Sequence, residues 1–339
     1  MNSLNRSTRL AASGQDSFSG GSAAVPGLPD RIQGGLIGLL VGDAVGVPYE
    51  FQHAKELPPL AEIEMVPPVG FHRSHASVPP GTWSDDGAQA LCLLESLLTC
   101  GHLDLADFAG RLVAWRDQGH LAVDGRVFDV GIQTQTALGR LRQKIDPRQA
   151  GPSGEQDNGN GSLMRVLPLA LWHQGPDAEL AELACLQSQV THGHARSQAC
   201  CAVYCLWARN LLQGAVDPWA AAVATARTIW PAGHPLRVEL DEEIRPEQPP
   251  VGTGSGYVLD SLHSARWAVA TGTSFEDVVR RSVALGRDTD TTACVAGGIA
   301  GLQYGVQGIP NRWRTGLRGQ ALLDPLLSGV LQNRKTPAL

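Results

Sequence analysis

Aromatic residues are scarce, 5% of the 339-residue chain, and no stretch alternates apolar with polar residues at the period of two that a half-buried strand needs. That argues against a sheet protein and leaves helices to build the core. Charged residues make up only 18%, with 27 Lys and Arg against 33 Asp and Glu, a net of -6. No basic face is expected, so general nucleic-acid binding is excluded. The seven cysteines are odd in number and contain no C-x-x-C pair. They read as small buried hydrophobes of a reducing cytoplasm, not as disulfides or zinc ligands. Cys201 and Cys205 stand one helical turn apart without the further His or Cys that a zinc site requires. No apolar segment follows Arg6 and Arg9, so no signal peptide is expected. The longest apolar run, residues 34 to 46, is interrupted by Asp43 and too short to span a bilayer. Neither a membrane nor a nucleic acid is expected as a partner, and the protein is expected to be cytoplasmic.

What is present is helical period. Residues 1–29 are rich in Ser, Gly and Ala and read as a flexible N-terminal extension. From Asp30, a candidate N-cap, the pattern changes, and residues 30–335 read as one domain. Gly34, Gly38 and Gly42 form a four-residue ladder on the first helix, suited to very close packing of another helix. Pro48 ends that helix, and a Pro-, Gly- and His-rich loop follows over residues 52–83. Helices are then predicted over 87–100, 105–117, 127–143, 162–173, 177–190, 195–213, 218–229, 257–270, 274–285, 290–304 and 316–331, with Asp104, Asp217 and Thr273 as starters. The expected fold class is all-α, a single-domain orthogonal bundle of roughly ten to twelve helices.

Two acidic knots stand out. Gly286-Arg287-Asp288-Thr289-Asp290-Thr291-Thr292 runs into a segment of small residues, and Thr82-Trp83-Ser84-Asp85-Asp86-Gly87 has the same character far upstream. Asp and Thr start helices well, but capping needs only one of them. A second carboxylate adds repulsion that a cation would relieve. Ser84, Asp85, Asp86, Asp288, Asp290 and Thr291 offer only hard oxygen donors, which suit Mg²⁺ better than zinc. Six such donors exceed what one Mg²⁺ takes from side chains, so two ions bridged by a carboxylate fit better. Taken one at a time, each knot reads better as a helix cap; the pair together favours the cation. The loop Asn158-Gly159-Asn160-Gly161-Ser162, ahead of a predicted helix, fits either an ordinary turn or an anion site.

Five blocks in order resemble the ADP-ribosylglycohydrolase family, of which dinitrogenase reductase-activating glycohydrolase is a bacterial member. They are Gly42 to Glu50, Trp83-Ser84-Asp85-Asp86, Gly159-Asn160-Gly161-Ser162-Leu163-Met164-Arg165, Thr191-His192-Gly193-His194 and Gly286 to Thr291. The resemblance implies an all-α fold with a di-metal cleft holding two Mg²⁺, or Mn²⁺. The metal ligands it implies are Ser84, Asp85, Asp86, Asp288, Asp290 and Thr291. It assigns Asn158, Gly159, Asn160, Gly161, Ser162, Met164 and His192 to ADP-ribose binding, and Glu50 to a loop acid beside the metals. Asp85, Asp86, Asp288 and Glu50 become the catalytic candidates, with Asp85 or Asp86 taking a proton from the attacking water. Asp43, in an apolar helix, reads as a buried partner of the site, and His194 as a weaker match. Ser84 stands where the family often has Thr and keeps the hydroxyl, whereas Gly87 replaces a frequent Thr and loses one. The implied activity is hydrolysis of ADP-ribose from a modified protein, through arginine by first expectation and through serine as an alternative. The other alternative is an immunity protein that neutralises an ADP-ribosyltransferase toxin, by hydrolysis or by direct binding through residues 1–29.

Overall fold

The computed structural model describes residues 26–335; residues 1–25, which make up most of the expected N-terminal extension, lie outside it. Fifteen α-helices are present among these residues, and no strand. They are α1 (Leu28–Gly46), α2 (Asp85–Cys100), α3 (Leu105–Gln118), α4 (Ile132–Arg142), α5 (Pro147–Ala150), α6 (Leu167–Trp172), α7 (Asp177–Gln189), α8 (Ala195–Leu212), α9 (Pro218–Ile229), α10 (Pro235–Val238), α11 (Val258–Thr271), α12 (Phe275–Ala284), α13 (Thr289–Gly308), α14 (Asn311–Gly316) and α15 (Gln320–Asn333). Eleven of them have ten residues or more, which matches the expected all-α bundle.

The axis of the fold is the pair α1 and α13. A Cβ built on Gly42 would lie 2.0 Å from the carbonyl oxygen of Ala293, and one on Gly34 would lie 2.2 Å from that of Gly301. The two helices therefore touch backbone to backbone, and the ladder read from the sequence is the contact surface. The same approach brings the end of α1 against the start of α13, where the Thr289 hydroxyl donates to the Gly46 carbonyl at 2.8 Å. By length and hydropathy α1 would suffice to cross a membrane, yet 89% of its apolar window is buried inside the protein. Around this pair α8, α11 and α12 pack against α13, α2 and α6 pack against α1, and α3 packs on α2, over one contiguous apolar core. Six of the seven cysteines are buried and all are unpaired, as the composition implied.

Several boundaries differ from expectation for identifiable reasons. Asp30 is not the N-cap of α1: the helix begins at Leu28 after extended Gly27, with Pro29 in the first turn, where its missing N–H has no helical partner to lose. Asp129 adopts a left-handed φ of 52°, so residues 127–131 are not helical and α4 starts at Ile132. Residues 161–165 form turns, and α6 starts at Leu167 with Pro168 in its first turn, where the missing N–H costs no helical bond. The helix predicted over 316–331 begins only at Gln320: Gly316 ends α14, and Gly319, whose φ is 78° and whose Cβ would meet the Trp83 ring at 2.3 Å, is the N-cap of α15. Ser274, not Thr273, caps α12 by accepting from the Asp277 N–H, while Thr273 donates back to the Asp277 carboxylate.

Candidate metal centre and cleft

The two acidic knots meet. Ser84 is the N-cap of α2, its hydroxyl accepting from the Asp86 N–H at 3.2 Å. This turns Asp85 and Asp86 into the first turn, where the helix dipole favours negative charge. At the start of α13, Asp288 makes no capping bond, and Asp290 and Thr291 point toward α2. The Thr291 hydroxyl donates to Asp86 Oδ1 at 3.1 Å. Asp43 of α1 is wholly buried and accepts from the N–H groups of Ser84 (2.9 Å) and Gly87 (2.8 Å). It thus holds the N-terminus of α2 against α1, the buried-partner role read from its place in an apolar helix.

Carboxylate oxygens of Asp43, Asp86 and Asp290 lie within 4.8 Å of one another, and so do those of Glu50, Asp288 and Asp290. Asp290 belongs to both groups. Asp86 Oδ2 and Asp290 Oδ2 are buried without any hydrogen-bond partner. Two orphaned carboxylate oxygens are a costly arrangement in a protein interior unless a cation is bound there. Burial, followed by repulsion from neighbouring carboxylates, raises the pKa of Asp85, Asp86 and Asp290 well above the carboxylate range. Glu50, far from being a solvated surface acid, is 3% exposed and is pushed up to about 11 by burial and by Asp129, Asp288 and Asp85. The donor set of these two groups is all oxygen and hard. The residues present fit a divalent cation of the Mg²⁺ type, and the shared Asp290 suits two ions.

A cleft of about 520 Å³ opens above these acids. Its lining includes Glu50, Asp85, Asp288 and Thr291 on one side and Gly159, Asn160, Gly161, Met164 and His192 on the other. Asp86 and Asp290 lie beneath it, each 0% exposed. Asn160 joins the two sides, its Nδ2 donating to Asp288 Oδ2 at 2.8 Å. Two of the residues expected to touch ligand do not line the cleft. Asn158 is buried, donates to the Glu155 carbonyl and accepts from Ser197; Ser162 is buried and accepts from Ser188. Both brace the loop from behind. The loop also does not open a helix directly. The Gly159 N–H is taken by Gln133 Oε1 and the Asn160 N–H by the Gly256 carbonyl, so those two donors are not free for an anion. What the glycines provide is clearance: a Cβ on Gly161 would lie 2.8 Å from Cε1 of His192. His192 supports the loop with a neutral imidazole, since burial, with a smaller effect from Arg165, drives its pKa down to about 3. His194 is outside the site and caps α8 by accepting from the Arg196 N–H.

Sequence reasoning missed Asp129 and His75. His75 Nε2 lies 2.6 Å from Glu50 Oε2, and oxygens and nitrogen of Glu50, His75 and Asp129 cluster within 4.8 Å. Asp129 was hidden inside a predicted helix. The signal that marks it is the Asp-Val-Gly sequence at residues 129–131, since Asp tolerates the left-handed region better than most residues. A larger groove of about 900 Å³ lies between α3 and the α4–α5 segment, but no set of acids converges there among the described residues.

The family model for ADP-ribosylglycohydrolase matches residues 24–338. The chain is 34% identical over 293 residues to ADP-ribosylarginine hydrolase Tri1 of Pseudomonas putida, covering 84% of this chain and 73% of that protein. It is 29% identical to ADP-ribosyl-[dinitrogen reductase] glycohydrolase of Rhodospirillum rubrum, covering 85% and 90%, and 26% identical to ADP-ribosylhydrolase ARH3 of Bos taurus, covering 92% and 94%. A solved structure, an ADP-ribosylglycohydrolase-related protein complex, superposes with a TM-score of 0.72 at 34% identity, covering 91% of this chain and 98% of that one.

Proposed function

Because the chain belongs to the ADP-ribosylglycohydrolase family, we propose that it hydrolyses the N-glycosidic bond joining ADP-ribose to an arginine side chain of a modified protein. The observation that carries this reading is the meeting of Asp86, Asp290 and Thr291 under a cleft whose opposite wall is the Gly159–Gly161 loop. Similarity to a protein named for ADP-ribosylarginine hydrolysis supports the choice of linkage. So does the cleft itself: Glu50, Asp85, Asp129 and Asp288 all line it, and their carboxyl oxygens offer hydrogen-bond acceptors to a guanidinium, which can only donate.

Asp86, Asp290, Asp288, Asp85, Ser84 and Thr291 are the residues that would hold two Mg²⁺ or Mn²⁺. When bound, such ions supply Lewis-acid polarisation of oxygen and acidify water. The chain's own part is then division of labour. Asp86 and Asp290, buried and within 4.8 Å of each other, fix the floor. Asp85, which reaches the cleft, is the better placed of the two α2 carboxylates to accept a proton from water attacking the anomeric carbon. Glu50 and Asp129 line the same cleft and orient the departing guanidine. The Gly159–Gly161 loop with Met164 and His192 forms the wall that receives ADP-ribose. Bond cleavage through an oxocarbenium-like transition state follows the general chemistry of glycosides.

The test is release of ADP-ribose from arginine-modified and serine-modified proteins compared side by side. The expected result is release from the arginine-modified substrate, lost in Asp85→Ala. Release from the serine-linked substrate alone overturns the linkage. Toxin neutralisation by direct binding would rest on the N-terminal extension, and is tested by deleting residues 1–25 while release is followed separately.

A further inference from the structure

Behind the cleft lies one buried cation that the proposed chemistry does not use. Arg165 is 0% exposed, and its guanidinium sits 5.2 Å from the centre of the Phe108 ring. Its Nη1 donates to Gln89 Oε1 at 2.9 Å, its Nε to Gln187 Oε1 at 3.1 Å and its Nη2 to the Gln187 carbonyl at 3.0 Å. A guanidinium can only donate. Each glutamine must therefore turn its amide oxygen toward Arg165 and its NH₂ group away. For Gln89 the NH₂ then reaches Asp85 Oδ2 at 2.9 Å. For Gln187 it reaches the Ser162 carbonyl at 3.2 Å, behind the glycine loop. One arginine thus sets the direction of two amides, one serving each wall of the cleft.

We propose that Gln89 is a positioning residue for Asp85, with its amide direction imposed by Arg165. It holds one carboxylate oxygen and fixes the plane of the group, so that the other oxygen is presented to the cleft. This rests on the reading of Asp85 as a member of the metal-binding and proton-accepting set. Gln89 lies one helical turn beyond Asp85 on α2, so the i, i+4 spacing that brings them together is built into the helix. A carboxylate bonded on one side only would otherwise rotate among orientations, and loss of such outer partners costs metal sites about ten- to a hundredfold in affinity or activity.

The test uses the full-length chain with Mn²⁺ as the probe. Free Mn²⁺ is followed by electron paramagnetic resonance, and ADP-ribose release gives kcat and KM. Gln89→Met keeps the volume and removes the donor. It is expected to remain folded, to bind Mn²⁺ about ten- to a hundredfold more weakly, and to lose kcat with little change in KM, since substrate contacts are untouched. Gln89→Glu keeps an acceptor for Arg165, which protects the fold, and exchanges the donor facing Asp85 for an acceptor; it too is expected to lose kcat by about tenfold or more. Leu138→Ala, a core truncation in α4, reports the effect of general destabilisation and is expected to keep wild-type Mn²⁺ affinity. The proposal is overturned if folded Gln89→Met binds Mn²⁺ like wild type, if Gln89→Glu keeps wild-type kcat, or if Leu138→Ala loses as much affinity as Gln89→Met. A wild-type chain that binds no Mn²⁺ overturns the metal reading itself, and this proposal with it.

Discussion

The hydroxyl of Thr291 donates to Oδ1 of Asp86 at 3.1 Å, joining residues 205 positions apart in sequence. This contact makes one centre of two acidic segments. Each segment alone would serve adequately as a helix cap. Together they leave Asp86 Oδ2 and Asp290 Oδ2 buried and unpartnered, a cost that the fold retains.

Neutralising these acids should separate function from stability. Asp86→Asn and Asp290→Asn are each expected to lower ADP-ribose release by more than about a hundredfold, beyond what an outer partner costs. In metal-free protein the same changes are expected to raise the melting temperature, because each removes an acid that the folded state must protonate, at a cost, to hold in a crowded, desolvated cluster. Parallel loss of activity and stability would mean that the acids are structural.

Cation binding is read directly from stability. A ligand that binds only the folded state at 100 times its Kd stabilises it by about 2.7 kcal/mol. Mg²⁺ or Mn²⁺ added to metal-free wild type is therefore expected to raise the melting temperature in a concentration-dependent way, and to have no such effect on the Asp86→Asn, Asp290→Asn double variant. Differential scanning calorimetry distinguishes the two.

The α1–α13 seam predicts opposite outcomes for two Gly→Ala changes. At Gly42 the new methyl would sit 2.0 Å from the Ala293 carbonyl oxygen, and the helices must part. Overpacking of this kind costs about 1–3 kcal/mol. At Gly110, inside α3, a Cβ meets nothing within 4 Å, and the substitution is expected to stabilise by about 0.4–1 kcal/mol through helix propensity and chain entropy. Urea unfolding of the two variants checks both signs.

Acid sensitivity is expected at Glu64, which does not line the cleft. Burial alone would raise the pKa of Glu64, but hydrogen bonds from Arg312, Trp313 and Arg280 outweigh it and leave the group below its ordinary 4.5. A carboxylate depressed in the folded state contributes stability that is complete above its unfolded pKa and lost as the pH falls through its folded pKa. Stability should therefore decline below pH 4.5, and Glu64→Gln should flatten that decline while leaving the neutral-pH release assay unchanged.

Much of this was legible in the chain. The helices announce themselves by period and by caps such as Asp104 and Asp217, both of which accept backbone N–H bonds where expected. The glycine ladder foretold the seam, and the two acidic knots foretold a meeting point. Illegible was whatever depended on a single backbone angle or on a contact across the long loop. Asp129 joins Glu50 only because its φ of 52° interrupts a helical pattern, and His75 reaches Glu50 from a segment with no periodicity at all. The bracing roles of Asn158 and Ser162 were hidden for another reason. A polar residue in a glycine-rich loop looks the same in sequence whether it faces the ligand or the protein behind it.

The most direct test of the central claim is ADP-ribose release from an arginine-modified protein, measured with saturating Mg²⁺ or Mn²⁺ and again after exhaustive chelation. If the meeting of Asp86, Asp290 and Thr291 is a cation site serving hydrolysis, release is rapid with the ion, absent after chelation and restored by adding the ion back. Undiminished release from the chelated protein would contradict the account.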